Sequence, residues 1–150
     1  VTFMTPGGWL VLFDGLESGG DPRRVIQIHF RDTLIHQDFE KFVDQYQPFH
    51  ITYKQLGDPL SVELSFRDFT RYITKSIFLR KKLWESERLQ SYQYFTEEDY
   101  RDTFARLGLG ISVLQTLTVN EEKWRELVDI ISPEVNFPEE HILIQAKKIA

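Results

Sequence analysis

Two imidazoles and a carboxylate stand on stretches where polar and apolar residues alternate. His29 lies in RVIQIHF at 24–30, and His50 alternates with Phe49, Ile51 and Tyr53. Glu63 lies among Leu60, Val62, Leu64 and Phe66. Successive side chains of a strand point to opposite faces. The alternation therefore predicts that all three groups leave the apolar side and share a polar sheet face. Brought together, His29, His50 and Glu63 would suit metal binding or proton transfer. The competing reading is a solvated face on which they simply alternate with core residues. Strand order is not given by the sequence, and no further ligand is evident.

A second group carries charge rather than catalysis. RDFTRYITKSIFLRKKLW, 67–84, fits a helix when it is wound at about 100° per residue. Phe69, Tyr72, Ile73, Ser76, Ile77, Leu79, Leu83 and Trp84 fall on one arc, wide enough to face a core. Arg67, Arg71, Lys75, Lys81 and Lys82 fall on the opposite side, with Phe78 at its centre. Arg80 falls among the apolar residues. Either the helix kinks or ends near Phe78, or Arg80 snorkels its charge outward along an apolar stem. An aromatic among cations is common where a partner docks. Arg67, Arg71, Lys75, Phe78, Lys81 and Lys82 are thus the candidate partner-binding residues. The plainer alternative is a solvated surface helix.

The charge distribution bounds the partner. Residues 67–95 hold 7 basic and 3 acidic side chains, net +4, within a chain of net −5. A basic segment in an acidic frame attracts an anionic partner or pairs internally. The expected partner is an acidic protein. Nucleic acid is the lesser alternative, because the chain as a whole is acidic.

Other chemistry finds no support. The chain contains no cysteine, which excludes disulfides, thiolate metal sites and a cysteine nucleophile. No phosphate loop, dinucleotide fingerprint, nucleophile elbow or zinc spacing occurs, and no motif calls for a cofactor. Gly7-Gly8 and Gly19-Gly20 read as turns, and Asp14 and Glu17 as flanks of another. His36 and His141 stand at predicted helix starts and read as surface or capping residues. No apolar run is long enough for a transmembrane helix. The first 15 residues lack the charged start of a signal peptide. A cytoplasmic location is expected.

Periodicity gives the supporting elements. WLVLF at 9–13 reads as a short buried strand, and with 24–30 it suggests a hairpin on a long loop. Phe39, Phe42, Val43 and Tyr46 predict a helix over 36–47, stopped by Pro48. Residues 49–54 and 60–66 predict a hairpin across Gly57-Asp58-Pro59. The basic helix should cover its apolar face, with Phe49, Ile51, Tyr53, Val62, Leu64 and Phe66 packed beneath Phe69, Ile73 and Ile77. Thr96 caps a helix ending at Gly108 or Gly110. Residues 111–119 predict a strand. Asn120 to Ile131 predicts a helix followed by Pro133. A last helix starts near Pro138, although HILIQA also suits a strand.

The elements imply an α+β chain. The expectation is a single domain, 1–150, with an antiparallel sheet of four to five strands and helices packed mainly on one face. The expected role is a non-enzymatic soluble binding or assembly factor that contacts a protein partner through 67–84. An enzyme or metal-binding protein using His29, His50 and Glu63 is the alternative.

Overall fold

The computed structural model describes residues 4–17, 21–92, 94–132 and 135–149. Gly19-Gly20 and Pro133 lie outside them. The fold is α+β, with five α-helices and two antiparallel sheets of three and four strands among the described residues. The chain forms two compact units. One contains residues 1–20, 93–119 and 138–150; the other contains 21–92 and 120–137.

The second unit holds the four-stranded sheet. Its strands are β2 (Val25–Phe30), β3 (Tyr53–Gln55), β4 (Ser61–Ser65) and β6 (Val128–Ile130), in the order β3-β4-β2-β6. Ile26 and Ile28 of β2 stand opposite Leu64 and Val62 of β4. These residues form one core with Phe39 and Phe42 of helix α1 (Thr33–Gln45) and with Phe69, Tyr72 and Ile73 of α2 (Phe66–Lys75). Local chemistry sets the boundaries. Asp32 caps α1 by accepting from the Ile35 amide at 2.8 Å. Asp58 closes the β3-β4 turn by accepting from the Leu60 amide at 3.0 Å. Ser65 caps α2 through the Asp68 amide at 3.1 Å.

The predicted hairpin over 49–66 is present, but β3 begins only at Tyr53. Phe49 and Ile77 are exposed, while Ile51, Val62, Leu64, Phe66, Phe69 and Ile73 are buried as expected. The basic helix is shorter than its periodicity suggested. It ends at Lys75, passes through a 3₁₀ turn at Ser76–Phe78, and resumes only as α3 (Trp84–Glu87). This break removes Ile77 and Leu83 from the apolar arc and leaves both exposed.

The predicted helix after Asn120 is mostly overturned. Only α5 (Glu121–Arg125) forms, and Val128–Ile130 becomes β6. Val128 pairs with Phe30, and Trp124 and Val128 are both buried. Spacings of two and four both fit these residues, and pairing with β2 decides between them.

The first unit holds β1 (Trp9–Gly15), β5 (Leu109–Leu117), β7 (His141–Lys148) and helix α4 (Glu97–Arg106). The sheet order is β1-β7-β5. β1 therefore pairs with β7, and the expected hairpin of β1 with β2 does not form. The last element is the strand alternative: Ile142, Ile144 and Ala146 are fully buried on alternate positions. These three form a core with Tyr100 and Phe104 of α4. Thr96 and Asp99 make a complete capping box at the start of α4. Gly108 follows its end at φ +67°, a conformation that favours glycine.

Candidate functional site

The two residue groups singled out by the sequence meet different fates. His29 and Glu63 do share one face of the four-stranded sheet, because Gln27 stands opposite Glu63 and His29 opposite Ser61. Each is engaged separately. His29 Nδ1 lies 2.8 Å from Asp58 Oδ2 and 2.9 Å from Ser61 Oγ. Glu63 accepts from Gln27 Nε2 at 2.8 Å. His50 is exposed and precedes β3 rather than standing on it. The expected convergence of His29, His50 and Glu63 is therefore not formed. Among the described residues, no three His, Asp or Glu side chains gather closely enough to hold a metal ion.

His29, Asp58 and Ser61 have the residue types of a nucleophilic triad but not its geometry. A triad needs the carboxylate on one ring nitrogen and the serine on the other. Here both approach Nδ1, and the Ser61 hydroxyl also donates to Asp58 at 3.0 Å. Asp58 is held below its ordinary value, chiefly by the Leu60 amide bond. This is turn chemistry that fixes the β3-β4 connection.

The basic segment is divided by its own contacts. Lys75 is only 2% exposed. Its ammonium donates to Glu87 Oε2 at 2.7 Å and to the Glu87 carbonyl at 2.9 Å, and lies 4.1 Å from the Tyr92 ring centre. Burial raises the Glu87 pKa, but bonds from Lys75 and Tyr92 outweigh it and hold the carboxyl low. Arg71 pairs with Asp68 at 3.1 Å and stacks on Phe49 at 3.7 Å. Phe78 is half-buried against the core. Arg80 resolves its conflict by pairing with Asp38 at 2.7 Å from an exposed position. Arg67, Lys81 and Lys82 remain exposed. The six residues thus do not form one basic face, because Lys75 is internal and Phe78 is partly so. On the helical wheel Lys75 and Lys81 lie equally near the apolar arc, so the wheel does not single Lys75 out as internal.

A third surface was not anticipated. On the three-stranded sheet Trp9, Val11 and Phe13 are 54%, 65% and 54% exposed. Their cross-strand partners on β7 are Lys147, Gln145 and Leu143. Val113 and Gln115 of β5 stand opposite Gln145 and Leu143 and continue the same face. Phe13 stacks on His141 at 4.9 Å with the rings 8° apart. Lys147 Nζ lies 5.6 Å from the Trp9 ring centre. The opposite face carries Leu10, Leu12, Ile142, Ile144 and Ala146, packed with Tyr100 and Phe104. Tyr100 anchors the end of β1 by donating to the Gly15 carbonyl at 2.8 Å. Burial, and secondarily Asp14, pushes its pKa up to about 12. The sheet thus has one closed face and one open apolar face.

The signal for this surface was present in WLVLF. Five consecutive apolar residues read as a strand buried on both sides. The structure half-buries Leu10 and Leu12 on one side and leaves Trp9, Val11 and Phe13 exposed on the other.

No family model, curated protein or solved structure matches this chain.

Proposed function

We propose that this chain works by docking a protein partner onto the open face of its three-stranded sheet. The observation that carries this reading is the exposure of Trp9, Val11 and Phe13 at alternate positions of β1, with Val113 also exposed on β5 beyond Gln145 of β7. Single exposed apolar residues are ordinary, whereas a contiguous apolar patch marks an interaction site. Aromatic rings and aliphatic branches on a rigid sheet lose little side-chain entropy on binding, so they suit the centre of an interface. The exposed basic residues Arg67, Lys81 and Lys82 have exposed Ile77 and Leu83 near them in the chain, but these do not stand in a row on one strand as Trp9, Val11 and Phe13 do.

The test compares the two surfaces directly. Immobilised wild-type chain is offered a cell extract, with and without nuclease. Beside it stand Val11→Asp with Phe13→Asp, and Lys81→Glu with Lys82→Glu. A discrete protein retained by the wild type and the lysine variant, but lost by the sheet variant, is the expected outcome. Retention by the sheet variant with loss by the lysine variant moves the function to the basic segment. Loss on nuclease treatment would point to nucleic acid. With the partner in hand, Phe13→Ala should weaken binding by about 2 kcal/mol, as truncating a central aromatic anchor does.

A further inference from the structure

We infer that the partner adds a β-strand to the open edge of β1 while covering the same strand's apolar face. This rests on the reading above that the face is a docking surface. The ladder between β1 and β7 shows which groups are available. Lys148 donates to Gly8, and Leu16 donates to Glu140. The register between them pairs Leu10 with Ala146, Leu12 with Ile144 and Asp14 with Ile142. In an antiparallel ladder alternate residues bond to the neighbour and the rest point away. The backbone groups of Trp9, Val11 and Phe13 therefore face the outer edge. Among the described residues, no strand pairs there. Among the described residues, the chain approaches that side at the end of β1, where the Tyr94 ring lies against Gly15 and Glu17 donates to Phe95 at 2.9 Å.

The two edges of this sheet are not alike. β5 has a register shift between Ile111 and Val113, and it carries Ser112, Gln115 and Thr116. A bulge and polar residues are means by which a solvent-facing edge is kept from pairing. Within Trp9–Gly15 the β1 ladder has no register shift, and WLVLFDG has no lysine or proline; the two-residue bulge of Gly7 and Gly8 opposite Lys148 lies before it. Its run of five apolar residues belongs to a strand with neighbours on both edges and layers on both faces.

The occupant follows from area and charge. A strand on Trp9–Phe13 alone buries far less than the roughly 800 Å² per partner of a standard interface. The occupant must also bring an apolar layer that lies over Val11, Phe13 and Val113. The open face carries Lys147 and His141, and no acidic residue stands among its positions on the three strands. The covering layer should therefore place a carboxylate near Lys147. The chemistry is that of an apolar strand joined to an amphipathic, acid-rimmed helix.

A fusion supplies such an occupant at an effective concentration of about millimolar. A strand rich in valine and isoleucine, a short turn and an amphipathic helix are joined by a Gly/Ser linker to the start of the full chain. The control fusion replaces alternate strand residues with proline, which cannot donate to an edge. Amide exchange at Trp9, Val11 and Phe13 is followed by NMR, and access to the Trp9 ring by acrylamide quenching. Strand addition should slow those three amides by about tenfold or more in the first fusion and not in the control. Equal exchange in both fusions, with the Trp9 ring shielded in both, overturns strand addition and leaves face docking standing. An unshielded ring together with unprotected amides overturns both.

Discussion

Strands β1 and β2 solve the same problem differently. β2 alternates Ile26, Ile28 and Phe30, all fully buried, with Val25, Gln27 and His29. It has β4 on one edge and β6 on the other. Its polar residues find partners: Gln27 on Glu63, and His29 on Ser61 and Asp58. β1 has apolar residues on both faces and, among the described residues, a neighbouring strand on one edge. Among the described residues, β2 is paired on both edges, whereas β1 is paired on one. Polar residues with plausible chemistry are thus held by one another, while apolar residues without chemistry form the exposed face of the three-stranded sheet.

The sharpest stability contrast sets Leu64 against Val11. Leu64→Ala opens the buried core and should cost about 3–4 kcal/mol in urea unfolding. Val11→Thr, on the open face, should change stability by less than about 0.5 kcal/mol. Equal losses would show that the β1 face is closed in solution.

Next comes the buried pair. Lys75→Met removes the ammonium and leaves Glu87 with less compensation, a loss of about 2 kcal/mol. The folded carboxyl titrates below its ordinary value of 4.5. Its contribution is therefore full above that value and fades as pH falls through the lower folded pKa. Acid titration of stability should show a larger loss in the wild type than in Lys75→Met, where the Tyr92 bond alone still holds the carboxyl low. Identical acid profiles would place Lys75 outside the pair. A smaller effect is expected at the start of α4. Thr96→Ala deletes the capping side chain and should cost about 1 kcal/mol.

These residues also show what the sequence made legible. The α4 helix could be read because its signals are local: Thr96 and Asp99 close one end and Gly108 the other. The β3-β4 hairpin follows equally from Asp58 and the alternation beyond it. β6 and the pairing of β1 were not legible, because each depends on a strand distant in sequence. Val128 fits either a helix or a strand until Phe30 is placed beside it. Lys75 looks like a surface cation until the chain turns after Phe78 and brings Glu87 to it. His29, His50 and Glu63 failed as a site because alternation gives a face but not a distance. The open sheet face was missed because a continuous apolar run carries no mark of which side another layer covers.

The most direct test of the central claim is photocrosslinking in cells, with a photoreactive phenylalanine analogue placed at Val11 in one variant and at Lys82 in another. Irradiation should attach a discrete protein to the chain through position 11 and not through position 82. An adduct formed only through position 82, or none through position 11, would contradict docking at the open sheet face.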